Sequence, residues 1–172
     1  MPQASPRPPT CTTVPAADQW NGDMDTILWS ERRPPPAGPV QQPLGTWELT
    51  ARADLTHSRL QLHAEVDEAD QPPGTSQDDV DRLLLAYEEL ASNGFRHGSR
   101  PVRVTVSAGR TGWLVDVTDG APGQPPAPAV DRDPASGGMG LYLVARLAAA
   151  HGWFAEHDRK HVWAWIAPSP AA

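Results

Sequence analysis

Three short stretches of the chain carry side chains that could do chemistry together. Glu89 and Asn93 stand four residues apart in Leu85-Ala86-Tyr87-Glu88-Glu89-Leu90-Ala91-Ser92-Asn93. On a helix that spacing makes them neighbours on one stripe. A carboxylate beside an amide oxygen suits a hard cation such as Mg²⁺ with a water or hydroxyl in its shell. Asp119 ends the apolar run Val115-Asp116-Val117-Thr118 and opens Gly120-Ala121-Pro122-Gly123. A carboxylate at a strand end can accept a hydrogen bond from an exocyclic amine of a base such as adenine. Ser136-Gly137-Gly138-Met139-Gly140-Leu141 then leads into an apolar helical pattern. Glycines let backbone approach phosphate, and the following helix offers free N–H groups and the positive end of its dipole. Singly, the first two have plainer readings, a solvated helix face and a turn aspartate, and a lone Gly-x-Gly is weak evidence.

The elements that must position these groups are legible from periodicity. Trp47, Leu49 and Ala51 alternate with polar residues, which predicts a strand from Thr46. Asp54 is a candidate cap for a helix reaching Val66, and residues 67–75 form an acidic Pro/Gly connector. The spacing predicts a long helix from Gln77 to Phe95. Its apolar face carries Val80, Leu83, Leu84, Tyr87, Leu90, Ala91 and Phe95, opposite Glu89 and Asn93. Strands at Val102–Val106 and Trp113–Val117 flank a hairpin turn at 108–112. Residues 120–137 read as a Pro/Gly loop, 138–150 as a helix, and Trp153–Glu156 and His161–Ala167 as final strands. Strands in hairpin pairs predict an α+β fold, a two-layer sandwich of a mostly antiparallel sheet with helices on one face. Residues 1–45 are Pro-rich and expected to be a largely disordered tail, 46–167 the domain, and 168–172 a frayed end. Trp20 and Ile27-Leu28-Trp29 are unusual in a purely solvating tail and mark a candidate docking segment.

Bulk properties exclude some classes. A net charge of −7 and the lack of a Lys/Arg run argue against nucleic acid or an anionic membrane as partner. No apolar run approaches the roughly 20 residues that span a bilayer. Cys11 is alone and cannot form an internal disulfide. The N-terminus lacks the charged and apolar regions of a secretory signal, so a cytoplasmic location is expected.

Taken together, Glu-x-x-x-Asn on a helix, Asp with a Gly-containing turn after a strand, and Gly-x-Gly-Leu opening a helix resemble the GHKL ATPases. Gyrase, Hsp90, histidine kinases and MutL are members. The segment Glu88-Glu89-Leu90-Ala91-Ser92-Asn93-Gly94-Phe95-Arg96-His97-Gly98 looks most like the anti-sigma-factor serine/threonine kinases and similar small actinobacterial ATP-binding proteins. The resemblance implies a Bergerat-type ATP site over residues 46–167. In it Glu89 would be the general base, Asn93 the Mg²⁺ ligand and Asp119 the adenine acceptor. Gly123, Gly138, Gly140 and Leu141 would belong to the nucleotide-binding loops, and 120–137 to an ATP lid. Two departures stand out. Ala121 occupies the first glycine of the family's Asp-x-Gly-x-Gly, and the Gly-Thr before the last strand is absent, with Lys160-His161 near its place.

The leading expectation is a Mg–ATP-dependent serine/threonine kinase that binds a sigma factor or an anti-anti-sigma-like antagonist. The alternatives are an ATP-gated binding module with negligible turnover and an orphan histidine-kinase-type catalytic domain. Several single residues carry plainer expectations. His97 is read as a helix cap, His63 as a chance likeness to a phosphoacceptor, and Arg132 as a lid residue within reach of a γ-phosphate. Trp163 and Trp165 share one strand face. Packing beneath the N-terminal segment is their default role, and a homodimer or partner surface the alternative.

Overall fold

The computed structural model describes residues 29–35, 42–127 and 139–169. Five strands form one antiparallel sheet: β1 (Gln42–Leu49), β2 (Val102–Gly109), β3 (Gly112–Asp119), β4 (Ala150–Glu156) and β5 (Arg159–Ile166). Their spatial order is β1-β2-β3-β5-β4. Three helices, α1 (Arg52–Glu68), α2 (Gln77–His97) and α3 (Gly140–Leu147), cover one face. The expected α+β two-layer architecture is therefore the one adopted.

Strand alternation explains the layers. Val104, Val117 and Val162 lie in one cross-strand row, and Val106, Val115 and Ala164 in the next. All six are buried and meet the helices, while Arg103, Asp116 and His161 face the opposite side. The apolar face of α2, with Val80, Leu83, Leu84, Tyr87, Leu90 and Ala91, supplies the other half of the core. Trp47 of β1 meets Tyr87 edge-on at 5.7 Å.

The chain's own boundaries differ from expectation in several places. β1 starts at Gln42, because Leu44 is drawn into the core. The first helix begins with Ala51 as its cap, and Asp54 sits a turn inside. From there its carboxylate accepts from the N–H groups of Thr50 (2.8 Å) and Ala51 (2.7 Å). The last helix is shorter, ending at Leu147, and Ala150 already belongs to β4. Finally, α2 runs on to His97 and is closed by the Gly98 N–H on the Gly94 carbonyl (2.8 Å), not by the His97 side chain.

Part of the segment expected to be tail is docked. Arg32 N–H donates to the Trp153 carbonyl (2.7 Å) and Trp153 N–H to Ser30 (3.1 Å), a short parallel bridge along the edge of β4. Trp29 is buried on the helix side of that edge, and its indole N–H donates to the Leu141 carbonyl (3.2 Å). On the other side the Trp163 indole donates to the Arg32 carbonyl (2.8 Å), and Arg33 lies over Phe154. The strap thus covers an edge strand that would otherwise offer unpaired backbone groups. Trp163 takes its expected place beneath the N-terminal segment. Trp20, Ile27 and Leu28 lie outside the described residues.

The opposite end of the chain is tied to α2. The buried Asp79 carboxylate accepts from Ser76, which caps the helix, from Arg82 (2.8 Å) and from the N–H and hydroxyl of Ser169 (2.9 Å each). Arg82 also donates to the carbonyls of Leu147 (3.2 Å) and Ala167 (3.0 Å). Burial pushes the Asp79 carboxyl up, but the hydrogen bonds from Ser76 and Ser169 outweigh it and hold the group well below the usual carboxylate range. A carboxyl with a depressed folded pKa stabilises the fold above its unfolded value of about 3.9, and this is lost as the pH falls through the folded value. Asp79→Ala is expected to cost about 3 kcal/mol at pH 7, at the low end for a broken buried pair because Arg82 keeps some water. Urea unfolding should show that gap shrinking below about pH 4. A gap constant from pH 7 to pH 3 would mean the carboxylate charge is not what holds the clasp.

Candidate functional site

The site is assembled on α2, the end of β3 and the start of α3. Two glycines one turn apart let α2 settle onto the sheet. A Cβ at Gly94 would stand 2.7 Å from a Val117 methyl, and one at Gly98 would stand 2.7 Å from Asp119 Oδ2 and 2.8 Å from its Cβ. Any side chain at 98 would therefore push the helix end off the Asp119 carboxylate. The Gly120 N–H donates to the Ser99 carbonyl (2.7 Å), fastening the strand end to the segment after α2.

Asp119 is 1% exposed and faces the helical layer. Its Oδ1 accepts from the Ala121 N–H at 2.8 Å, so the residue at the departed glycine position serves through its backbone. Its Oδ2 lies 3.1 Å from the Lys160 ammonium, itself only 5% exposed. The two residues are direct cross-strand partners in the β3–β5 register. Lys160 therefore fills, on the helix face, the place where the Gly-Thr was missed, while its neighbour His161 turns to the other face and pairs with Asp116 at 2.9 Å. No local sequence signal gives this partnership, because β3 and β5 are paired across an intervening helix and strand and no turn fixes their register.

Glu89 and Gly140 come together. A Cβ at position 140 would collide with the Glu89 carboxylate as it stands, so the glycine lets the first turn of α3 lie against the acidic stripe of α2 without displacing that side chain. Glu89 is half-buried, and burial, aided by the neighbouring Glu88 charge, pushes its carboxyl above the ordinary value of 4.5 despite the opposing pull of Arg96. Asn93 follows one turn later on α2, also half-buried. The first N–H groups of α3, at Gly140, Leu141 and Tyr142, have no intrahelical partner and are the kind of donors that hold anions.

Other expected residues are placed differently. The Leu141 side chain is buried in the core and its carbonyl is taken by Trp29, which leaves its N–H as its contribution. Gly123 stands exposed in a turn with nothing pressing on it, so close approach to the rest of the chain does not require glycine there. Gly138, Arg132 and most of the expected lid lie outside the described residues. His63 forms an exposed pair with Asp67 at 3.6 Å on α1.

Among the described residues no group of three or more His, Cys, Asp or Glu side chains could cage a metal. The donors that are present suit Mg²⁺ of another kind, since that ion is commonly held by one or two side chains plus phosphate oxygens. Asn93, with Glu89 a turn away, would be its protein side. A separate concavity of about 410 Å³ lies on the flank of α2 facing α1, between Arg52, Arg59, Leu55, Ser92, Phe95 and Arg96. No helix among the described residues is long and apolar enough to cross a membrane.

No curated protein matches the chain. A family model does: the histidine kinase-like ATPase domain matches residues 51–165, a span that takes in α1, the Glu89–Asn93 stripe, Asp119, Gly140 and Lys160. With two thirds of its length matched and its sheet and helices arranged in one α+β layer pair, the chain belongs to the histidine kinase-like ATPase domain family, an ATP-binding class.

Proposed function

We propose that the protein is a cytoplasmic, Mg–ATP-dependent regulatory kinase of the anti-sigma-factor type, which transfers the γ-phosphoryl group to a serine or threonine hydroxyl of a protein antagonist. The observation that carries this reading is the half-buried Glu89, with its raised affinity for a proton, set against the first turn of α3. A base is then beside the N–H groups that would hold the phosphates.

In this reading Asp119 accepts from the adenine amine, Asn93 holds Mg²⁺, and the Gly140, Leu141 and Tyr142 amides bind phosphate oxygens. Glu89 takes the proton as the acceptor hydroxyl oxygen bonds to the γ-phosphorus, and the bond from phosphorus to the β,γ-bridging oxygen breaks, releasing ADP. The metal supplies charge neutralisation on the phosphates. Phosphoryl transfer asks chiefly for such positioning and electrostatics. The arginine-lined concavity between α1 and α2 is a candidate contact for the protein partner, a sigma factor or its antagonist.

A binding module that closes on ATP without transfer is the competing reading. The buried Lys160 on the adenine carboxylate favours it, because it departs from the kinase pattern. Incubation with γ-labelled ATP and native lysate separates the two. Acid-stable label on a captured protein supports the serine/threonine kinase, acid-labile label points to histidine, and ATP-dependent capture without label supports the module.

The adenine assignment has its own test. Asp119→Asn replaces an acceptor by a group that can present a donor, and ATP affinity is expected to fall by about 1–3 kcal/mol, the cost of an unsatisfied buried polar group. Unchanged affinity by calorimetry would remove Asp119 from the base site.

A further inference from the structure

Burying a lysine ammonium costs several kcal/mol unless a partner compensates, and Lys is rarely buried without one. Lys160 has Asp119 as its only partner among the described residues. The ammonium carries three N–H donors and the carboxylate about four acceptor positions. The contacts in the structure use one acceptor direction on Oδ1, for the Ala121 N–H, and engage Oδ2 with Lys160. Both groups keep hydrogen-bonding capacity, and both are buried facing the helical layer, where the backbone at Gly98, carrying no side chain, packs close to the Asp119 carboxylate.

We propose that Lys160 is a base-reading residue: its ammonium donates to N1 of adenine while Asp119 accepts from the N6 amine. This rests on the reading of Asp119 as the adenine acceptor and deepens it. The edge of adenine presents a donor, N6–H, next to an acceptor, N1. The pair presents an acceptor, Asp119, next to a donor, Lys160, 3.1 Å apart. A guanine in the same pose sets its O6 against the carboxylate and its N1–H against the ammonium, two mismatches at once. A neutral hydroxyl in place of Lys160 could turn to donate or accept and would reject guanine less. The ammonium cannot accept, so the charged pair specifies adenine partly by repelling the alternative.

The experiment compares ATP, 1-deaza-ATP (a C–H in place of N1) and purine riboside triphosphate (no N6 amine) by calorimetry on the full chain. Wild type is expected to bind 1-deaza-ATP about 10–100-fold more weakly than ATP, the range for a hydrogen bond to a charged group. Lys160→Met is expected to bind both equally, yet still to prefer ATP over purine riboside triphosphate through Asp119. A Lys160→Met protein that discriminates N1 as well as wild type does, or a wild type indifferent to 1-deaza-ATP, overturns the proposal. If Lys160→Met does not fold, the ¹⁵Nζ resonance of Lys160 in wild type decides: it should move with ATP and not with 1-deaza-ATP, and an equal response to both overturns the assignment. An Asp119→Asn protein with unchanged ATP affinity would instead place the base elsewhere, which is the failure of the underlying reading.

Discussion

Glu89→Gln is expected to leave ATP bound while lowering phosphoryl transfer or ATP turnover about 10²–10⁴-fold, the usual contribution of a general base. The amide keeps the size of the side chain, so its fit against Gly140 is preserved while the ability to take a proton is lost. The pH profile adds a signature that a purely structural role would not give. Only the ionised carboxylate can act as base, and burial together with Glu88 raises its pKa above 4.5. The acid limb of the rate should therefore fall at a higher pH than an ordinary glutamate would give. Removing the Glu88 charge with Glu88→Gln should move that limb to lower pH, and removing the opposing cation with Arg96→Ala should move it higher. Rates measured from pH 4 to 9 for the three variants test this. Turnover in Glu89→Gln within a few-fold of wild type would end the general-base assignment.

The sequence carried the layers and much of the site, for reasons that differ between residues. The alternation of Val102, Val104 and Val106 and of Trp113, Val115 and Val117 has a single satisfying arrangement, a sheet with one apolar face, so strands and fold class were legible. The pairing of Glu89 with Gly140 was not, because it depends on where α3 crosses α2, and helix crossings are set by packing rather than by local pattern. Lys160 was visible as a departure in the sequence. Its partnership with Asp119 needed the β3–β5 register, and the one-residue choice between Lys160 and His161 decides which face each takes. Composition misled at the N-terminus. Prolines at 34–36 suggested a tail, yet proline is tolerated beside a sheet edge, and the segment just before them carries the buried Trp29.

Trp29→Ala is expected to destabilise the domain by about 3–5 kcal/mol, the range for deleting a buried large aromatic. The indole is 5% exposed, tilts against His151 at 4.9 Å, and donates to the Leu141 carbonyl at 3.2 Å. Its removal opens a cavity beneath α3 and loses the hydrogen bond that ties the strap to the first turn of that helix. For a domain of this size each kcal/mol lowers Tm by about 2–4 °C, so a fall of roughly 6–20 °C should be seen by calorimetry. Trp29→Phe keeps most of the ring and loses the N–H, and should cost about 1 kcal/mol plus a small packing term. The consequence reaches the nucleotide. Leu141 lies in the first turn of α3, whose N–H groups are the proposed phosphate donors, and Trp29 holds that turn through the Leu141 carbonyl. ATP affinity should therefore weaken in Trp29→Ala even where the protein remains folded. Chains beginning at residue 29 and at residue 36 separate the strap from what precedes it. The first should match wild type in Tm and ATP affinity, and the second should resemble Trp29→Ala in both. Equal Tm and equal ATP affinity for the two chains would show that the strap lies on the domain without supporting it.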